Sequence, residues 1–129
     1  MSDQTLSRTR PRSRSEFLRN LVAGDFFHAT APRGESLICI VTRTTGEVIE
    51  SRRITTQEEL WFSRGSGHEL GDGTSEITSV EPLTAEIHDM FVRLDRRYRL
   101  SRDAHYSKLS KDEVKAFNLA SAFYLAHPV

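Results

Sequence analysis

Leu37, Ile38, Cys39, Ile40 and Val41 form an unbroken apolar run. Both parities of the run are apolar, as expected of a strand covered on its two faces. Any fold this chain adopts must therefore place a layer of structure on each side of that strand. The stretch around it, residues 36–62, divides into three extended segments. A polar turn from Arg43 to Glu47 contains Gly46, where a short hairpin loop commonly needs a left-handed residue. Val48 to Ile54 follows, then a polar break at Thr55, Thr56 and Gln57, then a segment ending Leu60, Trp61, Phe62. Read as strands, the three form a meander. Alternation in the Val48–Ile54 segment is imperfect, which predicts a bulge or bend there. In the last segment Leu60 and Phe62 share one face and Trp61 takes the other.

The flanks extend this pattern. Phe17, Leu18 and Leu21 are spaced for one helical turn between Ser15 and Leu21. Gly24 and Asp25 then punctuate, Phe26 to Ala29 reads as a strand, and Pro32, Arg33 and Gly34 end it. Residues 63–75 hold Gly65, Gly67, Gly71 and Gly73 and read as a long, flexible hairpin loop. Ile77 and Val80 give a short strand that Pro82 terminates, since proline cannot donate to a ladder. From Thr84 the period changes. Ile87, Met90, Phe91, Leu94 and Tyr98 recur at helical spacing, with Thr84 as N-cap and Glu86 in the first turn. A second helix opens with Ser110 and Glu113 as a capping box and Leu109 and Val114 as its staple. Its apolar stripe runs through Val114, Phe117, Ala120 or Ser121, and Tyr124 until Pro128 forbids continuation. The stripe is expected to dock on the sheet or on the preceding helix.

The expected fold class is α+β: a small antiparallel, strongly bent sheet or SH3-like barrel of about five strands, followed by two C-terminal α-helices. Residues 1–15 read as a disordered basic tail and residues 16–129 as one domain, β-rich over 22–82 and helical over 83–129. The order of elements over residues 22–82 resembles that of SH3-like and Sm-like small barrels. The likeness is one of layout. The aromatic and proline-recognition residues of SH3 domains have no counterparts here, so the resemblance implies a fold and carries no site with it.

At 129 residues the chain can bury a core without disulfides or metal staples. Its 18 basic and 18 acidic side chains cancel. That argues against a surface built throughout for nucleic acid or anionic lipid, so such a role must rest on a local patch. Cys39 is the single cysteine. Inside the apolar run it is expected to behave as a small hydrophobe, which suits a reducing, cytoplasmic setting. No apolar run approaches the roughly 20 residues that span a bilayer, so no membrane association is expected.

Arginine marks the candidate sites. Arg8, Arg10, Arg12 and Arg14 alternate with Ser, Thr and Pro near the N-terminus, a composition suited to neutralising phosphates. Arg93, Arg96, Arg97, Arg99 and Arg102 form a second cluster on and beyond the first C-terminal helix. Trp61 is a candidate stacking platform for a base. The plainer readings are a solvated tail, a solvated helix face and an aromatic that covers the sheet. His28, beside two aromatics, reads as a structural histidine. His88 and Asp89 point in different directions on a helix, and His105 lies in a polar connector. His68-Glu69-Leu70-Gly71 is half of the zinc-protease signature and lacks the second histidine. Adventitious binding by His68, Glu69 and Asp72 is the most metal chemistry this segment offers, so no metal or cofactor is expected.

The sequence points first to a non-enzymatic binding module, with nucleic acid contacted through the arginine tail and the arginine-rich helix. The alternative is protein interaction or homodimerisation through the last helix or an edge strand. A small enzyme is the third reading, and it requires His28, His68, His88 or His105 to converge with a carboxylate.

Overall fold

The structure is a computed structural model that describes residues 13–71, 73–100 and 109–129. A short helix α1 (Arg14–Arg19) precedes strands β1 (Phe26–Thr30), β2 (Ser36–Thr44), β3 (Val48–Arg53), β4 (Glu59–Ser63) and β5 (Glu76–Ser79), and helices α2 (Ala85–Leu100) and α3 (Lys111–Ala126) close the chain. All pairings in the single sheet are antiparallel, in the order β4-β3-β2-β1-β5. This is the expected α+β fold, a curled half-barrel followed by two helices.

The apolar run is central in the way its two-sided composition requires. Leu37, Cys39 and Val41 join Phe27, Ala29, Ile49, Leu60, Phe62 and Ile77 in the concave core. Ile38 and Ile40 point the other way, to Phe91, Leu94, Tyr98, Ala116, Ala120 and Tyr124 of the two long helices. Leu18 and Leu21 place α1 and the residue pair after it against the concave core.

Curvature comes from two register shifts. The first lies on β2, where Val41 faces Ser51 and Arg43 faces Glu50, so Thr42 is the extra residue. The bulge expected on β3 is thus on its partner. Within β3, Ser51 is buried and donates its hydroxyl to the Leu60 carbonyl at 2.7 Å. That bond satisfies a polar group on the core face. The second shift lies between His28 and Ala29, against β5.

The glycine-rich stretch is more structured than its composition suggests. Ser63 and Leu70 donate to the carbonyls of His68 and Trp61, while Glu69 and Ile77 donate to those of Ser75 and Gly67. Residues 67–70 thereby lie between β4 and β5 and link the two edges of the curled sheet. Gly67 is buried, with φ of 78°, and a Cβ there would collide with the Arg14 guanidinium. The position needs glycine both for its left-handed backbone and for space.

Two further expectations are corrected. Arg14, assigned to the tail, opens α1: its guanidinium donates to the Ser66 carbonyl at 3.0 and 3.1 Å and pairs with Glu76 at 3.3 Å. Ser13 caps that helix, its hydroxyl accepting from the Glu16 amide. On α3 the capping box at Ser110 and Glu113 is present, but Val114 is exposed, and the buried line is Ala116, Ala120 and Tyr124. The alanines allow the helix backbone to approach the sheet, while Phe117 stacks on Phe91 with ring centroids 4.8 Å apart. Among the described residues no helix is long and apolar enough to cross a membrane.

Candidate functional site

Helix α2 presents two chemically different sides. Phe91, Leu94 and Tyr98 face the sheet, and Arg93, Arg96, Arg97 and Arg99 are exposed. The spacing explains it: 93, 96 and 97 fall on neighbouring azimuths opposite the buried line, and 99 falls on one flank. Their concentration in the last two turns also opposes the negative end of the helix dipole.

The four arginines do not have equal freedom. The Arg97 guanidinium pairs with Glu113 at 2.6 Å, bonds the Tyr98 hydroxyl at 3.2 Å and lies 5.0 Å from the Tyr98 ring centroid. Burial opposes charge on Glu113, but the Ser110 amide and the Arg97 guanidinium outweigh it and hold the carboxyl below its usual range. Arg97 is thus committed to joining α2 and α3. Arg93, Arg96 and Arg99 have no ion-pair partner among the described residues, whereas Arg14, Arg43, Arg52 and Arg53 each have one. Arg102 lies outside the described residues, as do Arg8, Arg10 and Arg12.

Trp61 projects from the outer face of β4 and is 49% exposed. Glu50 stands directly opposite it across the ladder, with Glu59 two residues back on its own strand. Glu50 is paired with Arg43 at 3.1 Å, so neither charge beside the ring is free for a phosphate, and Glu59 adds a carboxylate. The nearest diagonal cation, Arg52, is engaged elsewhere. Among the described residues the one cation seated over an aromatic ring is Arg97 over Tyr98. Trp61 and the helix arginines are therefore not assembled into one built site.

What engages Arg52 is a buried polar cluster that the sequence reading did not reveal. Asp95 is 4% exposed and accepts Arg52 Nε at 2.9 Å, Arg52 Nη2 at 2.6 Å and Gln57 Nε2 at 2.9 Å. Burial opposes its charge, but the hydrogen bonds from Arg52 and Gln57 and the nearby guanidinium of Arg99 prevail, so its pKa falls. Gln57 holds a positive φ of 62°, a conformation that costs a non-glycine residue about 1 kcal/mol. Its amide is thereby aimed at both Asp95 and the Ile54 carbonyl. A signal was present: Asp95 sits between Leu94 and Tyr98 on the inward face, and a charge there requires a partner.

The histidines do not converge. His28 is fully buried, with Nδ1 2.7 Å from the Thr78 hydroxyl and its ring stacked 5.7 Å from Tyr124. Burial lowers its pKa. His68 is 3.7 Å from Glu76; His88 lies edge-on to Phe26 and, against the expectation that the two neighbours diverge, its Nδ1 is 3.8 Å from Asp89 Oδ1, a pair on the helix surface. His127, on α3's C-terminal side, meets the Phe123 carbonyl at 2.8 Å. His105 and Asp72 lie outside the described residues. Cys39 is fully buried and its pKa is pushed up to about 12, first by burial, so its thiolate is not an accessible nucleophile.

Edge-strand recognition has little room on β4, because the Trp61 carbonyl and Ser63 amide are already bonded to Leu70 and His68. Comparison with protein-family models, with curated proteins and with solved structures gives no match.

Proposed function

We propose that the chain is a non-enzymatic binding module for nucleic acid. The exposed arginines of α2 contact phosphates, and Arg8, Arg10 and Arg12 add charge from the N-terminal side. The observation that carries this reading is the row Arg93, Arg96 and Arg99: three exposed guanidinium groups on one rigid helix, without ion-pair partners among the described residues. Guanidinium groups match phosphate oxygens in geometry and remain charged at any physiological pH. Glu86 and Asp89 at the other end of the helix confine the positive region to its C-terminal half. Recognition through such a face is electrostatic and largely indifferent to sequence.

Titration against double-stranded DNA and single-stranded RNA at two salt concentrations tests the proposal, with the parent chain and an R93Q/R96Q/R99Q variant. Neutralising three phosphate contacts should lower the salt slope on duplex DNA by about 3. Absence of binding at low salt, or a slope unchanged in the variant, refutes it. A second reading is homodimerisation through α3, favoured by the exposure of Val114, Leu119 and Leu125. Sedimentation of the parent and an L119E/L125E variant separates it from nucleic-acid binding, which those changes should leave intact.

A further inference from the structure

A cleft of about 240 Å³ opens between the end of α1, the start of β1, residues 80–83 and the first turns of α2. It lies apart from the exposed arginines of α2. Phe17, Phe26, Pro82 and Leu83 supply apolar walls, while Asn20, Asp25 and His88 bring polar groups to the same space. Phe26 is fixed from behind, its ring edge-on to Phe91 at 5.7 Å and to His88 at 5.1 Å. The wall is therefore a packed aromatic surface.

The charge of the cleft is one-sided. Among the described residues Asp25 is its only acidic residue, and no lysine or arginine lines it. Asp25 is also held in place. Its Oδ2 accepts the Val22 amide at 2.9 Å, and its own backbone amide and carbonyl bond Val22 and Val41. The second carboxylate oxygen, Oδ1, receives no hydrogen bond from the described residues. A preformed apolar space with one fixed carboxylate suits a small molecule that combines an apolar body with an ammonium group. The size agrees, because a cavity of about 150 Å³ accommodates benzene. The remaining volume is enough for a short amine arm.

We propose that this cleft binds a small primary amine carried on an aromatic or branched aliphatic body. The ammonium donates to Asp25 Oδ1, and the body lies between Phe26 and the Pro82-Leu83 wall. His88 borders the ammonium position, where its ring nitrogen accepts a second hydrogen bond. Neither the arginine row nor its ligand takes part, so this site and the nucleic-acid face succeed or fail independently.

The test uses the full chain and three probes of one shape: 2-phenylethylamine, phenylacetate and ethylbenzene, titrated by ligand-observed and protein-observed NMR. The amine should bind at least tenfold more tightly than the acid, with shifts centred on Phe26 and Leu83. Asp25→Asn retains the acceptor for the Val22 amide and should weaken amine binding at least tenfold. Val80→Trp, which fills the cleft from another wall, should abolish binding of all three. Equal affinity for amine and acid, an Asp25→Asn variant that binds the amine unchanged, or no amine binding at millimolar concentration overturns the proposal.

Discussion

Replacement of Asp95 by Asn tests how the helical layer is held to the sheet. The substitution preserves shape and removes one charge. It also turns one of the two oxygens facing Arg52 into a donor, so the 2.6 and 2.9 Å bonds cannot both survive. Removing one partner of a buried ion pair typically costs about 3–5 kcal/mol, because the other charge stays behind without compensation. The Arg52 side chain is 19% exposed and can recover some hydration, which places the expected loss near the lower end, about 3 kcal/mol. With a urea m-value of about 2 kcal/mol/M, the unfolding midpoint should fall by about 1.5 M. The assay is urea denaturation followed by tryptophan fluorescence and circular dichroism, on the parent, D95N and the double variant R52M/D95L. The double variant removes both charges and should recover to within about 1 kcal/mol of the parent. The pH dependence has a definite sign. The folded-state pKa of Asp95 lies below its unfolded value, so its contribution is full above about pH 4 and is lost as pH falls through the folded value. A D95N loss under about 1 kcal/mol, or a double variant no more stable than the single one, would falsify this account of the clamp.

Tyr124→Phe should be neutral or stabilising by up to about 1 kcal/mol in the same assay. The Tyr124 hydroxyl is buried without a hydrogen-bond partner among the described residues, and its removal relieves that desolvation; a loss above about 1 kcal/mol would show that the hydroxyl has a partner. His28 predicts weakening in mild acid. Burial lowers its folded-state pKa below the unfolded value near 6.5, so the unfolded chain binds the extra proton first. Stability should be full above about pH 6.5 and fall by up to about 1.4 kcal/mol per pH unit below it, until the folded pKa is reached. His28→Gln should flatten that slope between pH 7.5 and 5.5, and an unchanged slope would assign the effect to another group.

Much of the fold was legible because local chemistry and tertiary environment agreed. Leu37 to Val41 could be read as a two-sided strand from five side chains, and the structure covers one face with the concave core and the other with α2 and α3. Thr84, Ser110 and Glu113 marked helix starts because caps are short-range hydrogen bonds within one turn. The errors fell where distant partners reversed a local preference. Arg14 resembled its neighbours in the basic tail, and only Ser66 and Glu76, over 50 residues away, fix it. Alternation in the Val48–Ile54 segment looked imperfect, and only the fold shows that Ser51 on its core face is satisfied by the Leu60 carbonyl. The glycine stretch looked flexible because composition carries no record of the two strand edges it joins.

The same division applies to the sites. The arginine row on α2 was visible in the sequence, because helical period alone separates 93, 96 and 97 from the buried line 91, 94 and 98. Which of those arginines is committed depended on α3, since Glu113 comes from another helix and takes Arg97. Parity set Trp61 on the face opposite Leu60 and Phe62 but left open whether it is covered; its 49% exposure and its acidic neighbour Glu50 followed only from the fold and strand register. By itself the sequence determined element types, the central strand and the positive helix face, all set by interactions within a few residues. Tertiary structure alone decided the Arg52–Asp95–Gln57 clamp and the cleft around Asp25. Both join groups from separate elements, and their energies exist only once the hydrophobic layers have brought those elements together.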